Sequence, residues 1–427
     1  MRNSNDAATG GVYRYYVLFT LMLGLTFNIT DRLAMSIVIE DVKAEFLLSD
    51  TQIGLLAGFA FTIFYVLLGI PAGRLADRTN RKNMVAVAVS LWSLMAALCG
   101  LAIGFWTLFL ARLGVGVGEA GGGPPSVSIL SDYFEPHELS KAMGIFMLGA
   151  VFGPMVGFAA GGLLAEAYGW RWMFILLGLP GVLLGISMYF TIREPKRGRF
   201  VEQKNNADQE PFFATMASLW KNKIFVRVIT ANALTIITGY AFSIWLAPIL
   251  IRTFGIPVSQ VGIYLGLVWV AGGVPGMVLG GIISDRMATL DPRWRAWVCM
   301  ITVGLSLPFM AACLLVDEVF WTLTLYAIGY GLMVAAQGPS VSMIQTAVQP
   351  AERGTATAFS SLSATFLGYA IGPVIIGIIS DFLAPKYGAL SLNYSVLAMI
   401  SFSLIFGSIA YLWAANAFGK AQSAPAT

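Results

Sequence analysis

Long apolar stretches alternate with short polar ones from Tyr13 almost to the end of the chain. Each apolar stretch is about 20 residues long, and a helix of that length crosses the hydrocarbon core of a bilayer. The pattern predicts twelve membrane spans, which are numbered below in chain order. They lie at 14–39, 52–73, 83–103, 106–130, 142–165, 172–192, 224–250, 260–284, 296–316, 319–345, 355–380 and 393–415.

The composition excludes a soluble protein. Hydrophobic residues make up 57% of the chain and charged residues only 11%, whereas soluble domains carry about 25% charged residues. The three cysteines, Cys99, Cys299 and Cys313, fall inside apolar stretches, so we interpret them as buried apolar residues rather than disulfide partners. The sequence therefore predicts an all-α polytopic membrane protein.

Lysine and arginine are shared unevenly between the loops. They are concentrated after span 2, in the long polar segment after span 6 and after span 8, at Arg74, Arg78, Arg81, Lys82, Arg193, Lys196, Arg197, Arg199, Lys204, Lys221, Lys223, Arg286, Arg293 and Arg295. Because basic loops stay in the cytoplasm, we expect these loops and both chain termini to be cytoplasmic. The polar N-terminus lacks the pattern of a cleavable signal peptide, so none is expected.

The two halves of the chain repeat the same short motifs in the same order. The matched motifs are Asp-Arg at 77–78 and 285–286, Pro-Ser-Val-Ser at 125–128 and 339–342, Glu-Pro at 135–136 with Gln-Pro at 349–350, and Gly-Pro at 153–154 and 372–373. An ordered series predicts two parallel repeats of six helices, with the substrate site between them. We assign 1–192 to an N-terminal bundle, 193–223 to a cytoplasmic linker and 224–427 to a C-terminal bundle with a short cytoplasmic tail.

Several motifs resemble those of the major facilitator superfamily. The sequence GRLADRTNRK at 73–82 resembles the family's signature between spans 2 and 3, with Asn80 where the family usually has glycine. Asparagine is the next most tolerant residue of a left-handed backbone position, so the exchange is mild at such a position. Arg112 with its following spaced glycines resembles the span 4 motif, and 149–157 resembles the span 5 motif. The resemblance implies the major facilitator fold, with twelve helices in two pseudo-symmetric bundles.

A narrower resemblance is to the spinster-type transporters. It rests on Asp31-Arg32, Gly118-Glu119-Ala120, Ser-Asp-Tyr-Phe at 131–134 and Arg171-Trp172. Those relatives carry lysolipids and sphingolipids in animals and have bacterial members, and the short loops of this chain fit a bacterial one. The resemblance implies a multi-pass protein of the bacterial inner membrane.

Four charged residues lie in the middle of predicted spans, all in the first half: Asp31, Arg32, Arg112 and Glu119. A charge in hydrocarbon costs at least about 2.5 kcal/mol, so each needs a partner. Neighbouring helical residues point about 100° apart, so Asp31 and Arg32 are poorly placed to pair with each other. We therefore predict that Asp31 pairs with Arg112. By the same argument Arg32 pairs with Glu119. The alternative is a fixed structural network, since buried ion pairs often contribute little net stability.

Asp31 and Glu119 are the predicted proton-coupling residues, with Arg112 as the neighbouring cation. Burial disfavours a charged carboxylate and a nearby arginine favours it, so a helix movement that separates the two would change its protonation. The resemblance points the same way, because many relatives couple transport to protons through carboxylates of helices 1 and 4. The only histidine, His137, lies in a predicted loop, so a histidine relay is not expected.

We expect the substrate to lie between an ionic first half and an aromatic second half. Arg32 is a planar bidentate donor that suits a carboxylate or a phosphate. The predicted binding residues are Asn28, Arg32, Glu119, Asn232, Tyr240, Gln337 and Tyr369. Such a site suits an amphipathic molecule with an anionic or zwitterionic head. The alternative is that the aromatic residues pack between helices or face lipid.

A third group of residues is predicted to act in conformational gating. They are Gly73, Asp77, Arg78, Arg81, Asp285, Arg286, Gly153 and Pro154. Asp77 and Asp285 sit at helix ends, where each is positioned to meet the positive N-terminus of a helix in the other half. The Gly-Pro pair would bend span 5 or pack it closely. The alternative for the charged residues is surface charge that only fixes the topology.

The sequence as a whole predicts a proton-driven secondary transporter that works by alternating access. The expected substrate is a lysophospholipid or a sphingoid phosphate, and the runner-up is a carrier of other organic anions or a multidrug exporter. A Walker A signature for ATP is absent, and the histidine and cysteines form no catalytic or metal-binding pattern, so neither an enzyme nor a metal site is expected. A transporter-like receptor without turnover stays open. We expect no cofactor besides the proton gradient, no nucleic-acid partner, membrane lipids as surroundings and a monomer.

Overall fold

The computed structural model describes residues 11–200, 212–349 and 352–423. Within these ranges the chain is almost entirely helical and forms no strand. The middle of the predicted linker, including Lys204, lies outside the described residues, as do Pro350 of the repeated motif and both chain ends.

The first half of the chain forms the helices of spans 1 to 6. Their bounds are Val12–Ile37 for span 1; Asp50–Gly54, Leu55–Phe59 and Ala60–Arg78 for span 2; Arg81–Cys99 for span 3; Phe105–Glu119 and Gly123–Tyr133 for span 4; Pro136–Met155 and Val156–Ala160 for span 5; and Gly161–Thr191, which completes span 5 and forms span 6. A short helix, Ile39–Phe46, precedes span 2.

The second half forms spans 7 to 12. After the helix Phe212–Lys221 come Lys223–Phe254, Val258–Ala288, Trp294–Cys313, then Val319–Val334 with Gln337–Ala347, then Arg353–Thr365, Phe366–Ile371 and Gly372–Tyr387, a short turn Gly388–Leu390, and Ser391–Ser423.

The number of crossings follows from the lengths of these helices. Nine stretches of the described residues are long and apolar enough to cross a membrane. Two of them, Pro136–Thr191 and Arg353–Phe418, have 56 and 66 residues, enough for two crossings each. The interrupted helix of span 4 supplies the remaining crossing. The predicted all-α polytopic fold with twelve spans is confirmed.

Spans 5 and 6 are joined at Gly169 without an intervening loop. This residue has φ 82° and ψ 162°, a conformation that glycine adopts without a steric penalty. The chain therefore turns there although helix continues on both sides.

Three spans contain one wide turn of π-helix. These turns are Leu55–Phe59 in span 2, Val156–Ala160 in span 5 and Phe366–Ile371 in span 11. The turn in span 5 begins two residues after Pro154, and the turn in span 11 ends two residues before Pro373. Proline lacks the N–H group that the regular hydrogen-bond ladder needs, so each Gly-Pro pair lies near an irregular stretch of helix.

The contacts divide the chain into two compact units. Unit 1 contains Met1–Leu48, Leu55–Asn206 and Pro257–Gly266. Unit 2 contains Ser49–Gly54, Ala207–Ile256 and Leu267–Thr427. Each unit includes the first residues of a span from the other half of the sequence, which the division at the linker does not anticipate. The bundle boundaries drawn from the linker stay a prediction.

Glycines let the helices within each unit approach closely, as is usual in membrane proteins. In unit 1 a Cβ atom at Gly153 would lie 2.6 Å from Cβ of Ile29, so the predicted close packing at Gly153 is confirmed. In unit 2 a Cβ atom at Gly54 would lie 2.6 Å from the carbonyl oxygen of Pro373. This backbone contact explains why the start of span 2 groups with unit 2.

Candidate functional site

Four charged side chains meet in the core of unit 1, supplied by spans 1 and 4. Arg112 is fully buried, and Asp31 and Glu119 are each 2% exposed. The Arg32 side chain keeps 17% of its surface accessible. Because unpaired charges are costly in hydrocarbon, the contacts among these groups determine what the site can do.

Arg32 and Glu119 form a close ion pair. Nε of Arg32 donates to Oε2 of Glu119 at 2.6 Å, and Nη2 lies 2.5 Å from the same oxygen. The first helix of span 4 ends at Glu119, and the chain turns through residues 120–122 before the next helix. The predicted pairing of Arg32 with Glu119 is confirmed.

Two aromatic rings of span 2 hold the Arg32 guanidinium. Its Cζ atom lies 4.7 Å from the ring centroid of Phe61 and 4.8 Å from that of Tyr65. The two rings stack on each other at 5.5 Å. Such cation–π contacts favour a cation over a ring face. The sequence analysis missed both residues, although their i, i+4 spacing in an apolar span was a signal that they share one helix face.

Arg112 contacts main-chain oxygens. Its Nη1 donates to the backbone carbonyl of Asp31 at 3.1 Å, and its Nη2 to that of Ala57 at 3.4 Å. Among the described residues no ion pair within 4.0 Å joins Arg112 to the Asp31 carboxylate. The predicted side-chain pair is therefore wrong for this structure. The physical reason is the π turn at Leu55–Phe59, where the irregular ladder presents the Ala57 carbonyl to the guanidinium.

The Asp31 carboxyl group is buried beside these contacts. Its Oδ2 atom has no hydrogen-bond partner within the described part of the chain. Asp31 and Glu119 thus differ in their surroundings. The Glu119 carboxylate contacts the Arg32 side chain, whereas Arg112 donates to the main chain of Asp31.

A cavity of about 240 Å³ lies beside the ion pair within unit 1. Its polar lining is Asn28, Arg32, Tyr65, Glu119 and Ser126. The apolar lining comes from span 1 itself and from spans 3, 5 and 6, and it includes Leu21, Leu25, Ile29, Val85, Val89, Phe146 and Met188. Pockets for drug-sized molecules usually measure at least about 300 Å³. This cavity therefore suits the polar part of an amphipathic molecule and the first carbons of its chain.

The predicted binding residues of the second half lie in unit 2. Tyr240 and Tyr369 pack edge to face with ring centroids 4.7 Å apart, and Nδ2 of Asn232 lies 3.4 Å from Oγ of Ser360. Gln337 begins the second helix of span 10 and is half-buried. The structure brings Tyr240 and Tyr369 together, and their role in binding stays a prediction.

Arg81 is the most firmly anchored of the predicted gating residues. It is 3% exposed. Its Nη1 lies 2.6 Å from Oδ2 of Asp132 and its Nε 2.7 Å from Oε1 of Glu194. These contacts tie the start of span 3 to the end of span 4 and to the segment after span 6. The role of Arg81 in gating stays a prediction.

Three of the other charged gating candidates lie at the protein surface. Arg78, Asp285 and Arg286 are exposed, the side chain of Asp77 lies outside the description, and a Cβ atom at Gly73 would meet nothing within 4 Å. Their role in gating stays a prediction.

Asn80 is not in a left-handed conformation. It has φ −70° and ψ 111°, and its side chain accepts a hydrogen bond from the backbone N–H of Asn83 at 3.1 Å. Asparagine therefore serves here as the N-cap of span 3, a position that it favours. The interpretation that asparagine is accepted at position 80 because it tolerates a left-handed backbone is therefore wrong.

A second buried ionic cluster, missed by the sequence analysis, lies in unit 2. Arg252 donates to both carboxylate oxygens of Asp50 at 2.7 and 2.9 Å, and Ser380 donates to Asp50 at 2.6 Å. Asp381 accepts from the backbone N–H groups of Asp50 and Thr51, each at 2.9 Å. No local signal in the sequence connects Arg252 with Asp50, because the two residues are 202 positions apart.

Comparison with known proteins gives matches over nearly the whole chain. The family model of the Major Facilitator Superfamily matches residues 21–373. An MFS-type efflux pump of Mycolicibacterium smegmatis is 30% identical over 395 residues, which are 92% of this chain and 90% of that protein. The sphingosine-1-phosphate transporter SPNS2 of Danio rerio is 26% identical over 92% of this chain and 82% of that protein.

A solved structure is similar to the whole molecule. It is the crystal structure of a bacterial homolog to the human lysosomal transporter spinster, in an inward-facing and unoccupied conformation. The match has a TM-score of 0.88 at 28% identity and covers 98% of this chain and 100% of that one.

Proposed function

The chain belongs to the major facilitator superfamily of membrane transporters, and we propose that it is a proton-coupled carrier of an amphipathic anion or zwitterion. Its resemblance to spinster-type transporters is confirmed by its relatives, and its fold is that of the family, with two six-helix bundles. We propose that it works as a monomer by alternating access in a bacterial inner membrane, with both termini in the cytoplasm.

Arg32 lies at the polar end of the cavity of unit 1, and the proposal rests on this position. Its guanidinium carbon lies within 5 Å of the ring centroids of Phe61 and Tyr65, at 4.7 and 4.8 Å, and the side chain keeps part of its surface accessible. A planar arginine is suited to carboxylate and phosphate groups, and the apolar walls are suited to the start of an alkyl chain. The relative named as a sphingosine-1-phosphate transporter supports this substrate class.

Proton coupling would follow from competition for Arg32. A substrate anion at Arg32 weakens the ion pair with Glu119 and leaves a buried carboxylate uncompensated. A buried group in that position is neutralised most simply by binding a proton. Substrate and proton would then enter the site together, and the burial of Asp31 supports it as a second proton-binding group.

A binding screen on the purified full-length protein tests the substrate class. Lysophospholipids, sphingoid phosphates and small hydrophilic anions are each titrated against the wild type and Arg32→Ala. We expect the amphipathic anions to bind the wild type and to lose at least about tenfold in affinity in the variant, because a hydrogen bond to a charged group contributes about 1.5–3 kcal/mol. Arg32→Lys keeps the charge without the planar fork and should fall between the two.

Lys141→Ala, an exposed change in the same unit, serves as the matched control. Binding of small hydrophilic anions without any binding of lysolipids or sphingoid phosphates would refute the proposed substrate class.

A second candidate is export of lipophilic drugs. It is favoured by the Mycolicibacterium smegmatis relative, which is named an efflux pump. Apolar cations added to the same screen separate the two, since a cationic head would pair with Glu119 and not with Arg32. Tight binding of such cations that is unaffected by Arg32→Ala would support the exporter.

A further inference from the structure

A second hollow of unit 1 lies between spans 2, 3 and 4, and we call it the lateral groove. It measures about 570 Å³. Its walls include Leu68, Leu75, Val87 and Val117, and small residues such as Gly118 and Gly121 form its floor. Leu75 and Val87 are 53% and 58% exposed. The groove therefore opens at the outer surface of the helices, toward the lipid that surrounds them.

One end of the lateral groove is polar. Thr79, Asn80 and Asn83 line it where span 2 gives way to span 3. The Oδ1 atom of Asn83 is buried and has no hydrogen-bond partner in the part of the chain that the structure describes. A buried acceptor without a partner is costly. Because Asn83 lines the groove, a rotation of its side chain toward this space would let an O–H group of a ligand donate to Oδ1.

The same end is basic. Arg74 and Arg78 stand on the last turns of span 2 and are exposed, and their side chains form no ion pair with any described residue. Arg197 donates to the backbone carbonyls of Ala76, at 2.7 Å, and of Thr79. Asp77 is the acidic residue of this stretch, and the three arginines outweigh it, so this end keeps a net positive charge.

The length of the groove matches one leaflet of a bilayer. From Leu68 to Thr79 a helix rises by about 16 Å, about half of the roughly 30 Å hydrocarbon core. Its basic end lies at the loop between spans 2 and 3, where lipid headgroups lie, and its apolar walls lie at the depth of the acyl chains.

We propose that the lateral groove binds one phospholipid of the surrounding leaflet whose headgroup carries a phosphate and a terminal hydroxyl, as in phosphatidylglycerol. The phosphate is bound by Arg74 and Arg78, and the hydroxyl donates to Oδ1 of Asn83. A headgroup that ends in an ammonium would place a positive charge beside the arginines, and a choline headgroup has no N–H or O–H to donate.

Unit 2 contains a comparable hollow that serves as an internal control. It measures about 370 Å³ and lies between spans 8, 9 and 10. Among its lining residues only Thr302 has a polar side chain, and that hydroxyl donates to the Cys299 carbonyl of its own helix at 3.3 Å. This hollow has room for an acyl chain but offers no contact for a headgroup.

Thermal unfolding of the purified full-length protein in mixed micelles tests the proposal. Phosphatidylglycerol, phosphatidylethanolamine and phosphatidylcholine with identical chains are added at the same mole fraction, and glycerol phosphate is added alone. We expect phosphatidylglycerol to raise the unfolding midpoint of the wild type by a few degrees more than the other lipids do. The extra rise should disappear in Asn83→Leu and in the double variant Arg74→Ala/Arg78→Ala.

Thr302→Leu, in the hollow of unit 2, should keep the full lipid response. The proposal is overturned if phosphatidylglycerol acts like phosphatidylcholine on the wild type, a comparison that needs no variant. It is also overturned if glycerol phosphate alone gives the same rise, or if Thr302→Leu abolishes the response as completely as Asn83→Leu does. None of these outcomes depends on the transported substrate.

Discussion

Asp31 and Glu119 are both buried acids, but they are held in different ways. Glu119 is neutralised by Arg32 at 2.6 Å. Arg112 reaches only the main chain of Asp31, whose Oδ2 has no partner within the described residues. If the protein is coupled to protons as proposed, Glu119 would exchange its partner for a proton when a substrate arrives, and Asp31 would hold a proton through more of the cycle.

The residue-scale prediction concerns flux driven by a proton gradient. In proteoliposomes we expect Glu119→Gln and Asp31→Asn each to reduce gradient-driven uptake by about 5- to 150-fold, the usual range of coupling between two sites. The amides keep the size of the acids but cannot release a proton. Exchange of labelled for unlabelled substrate without a gradient should continue, because it needs no net proton movement.

Asp317→Asn, in the exposed loop before span 10, is the matched control and should keep the wild-type uptake rate. If both core variants retain the full response to the gradient, protons are coupled at other groups. A wild-type protein that binds substrate but shows no flux at all would instead indicate a receptor.

The pairing of Arg32 with Glu119 was predictable from the sequence, because few charges lie in the spans and each needs a partner. The contact of Arg112 with Ala57 was not, because it depends on a π turn that leaves no mark in the apolar pattern. Phe61 and Tyr65 were overlooked because aromatic residues in a span ordinarily pack against neighbouring helices or lipid.

At the scale of helices, spans 2 and 4 meet at Gly116. A Cβ atom there would overlap the carbonyl oxygen of Phe61, the residue whose ring contacts Arg32. Backbone atoms cannot move aside as a flexible side chain can, so any larger residue must push the two helices apart. The contact therefore supports both the stability of unit 1 and the position of Arg32.

We expect Gly116→Ala to destabilise the protein by about 1–3 kcal/mol, the usual cost of an overpacked core. Thermal unfolding in detergent should show a lower midpoint, and substrate affinity should fall with it. Gly144→Ala is the control, because a Cβ atom at Gly144 meets nothing within 4 Å and alanine favours a helix by about 0.5–1 kcal/mol. Equal midpoints for the two variants would contradict the packing argument.

The helices were largely predictable, since a bilayer demands about 20 apolar residues per crossing. Their irregularities were predictable only where a residue type imposes them. The Gly-Pro pair of span 5 predicted a bend or close packing, and the structure has a π turn near the Gly-Pro pairs of both span 5 and span 11. The turn at 120–122 lies inside the stretch predicted as continuous for span 4, and the loop predicted between spans 5 and 6 is replaced by a bend at Gly169.

At the scale of the whole molecule, the contacts group two short segments with the unit that the other half of the sequence mainly forms. The residues Ser49–Gly54 group with unit 2 and Pro257–Gly266 with unit 1. Long-range polar contacts secure the first of these, since Asp50 bonds to Arg252 and Asp381 accepts from its backbone. Pairings between residues some 200 or 330 positions apart cannot be inferred from periodicity or local composition.

The orientation of the chain in the membrane is the prediction at this scale. The native thiols Cys99, Cys299 and Cys313 are at most 1% exposed, so an impermeant maleimide should report only on introduced cysteines. His137 lies before span 5 with a side chain that is 73% exposed, and Asp317 lies in the exposed loop before span 10. From the basic loops we expect Asp317→Cys to be labelled on intact cells and His137→Cys only on inside-out vesicles.

The reverse result would place the basic loops outside, and with them the lateral groove's polar end in the other leaflet. Labelling of both positions on intact cells would contradict the crossing of spans 5 to 9, because an odd number of crossings must separate the two sites.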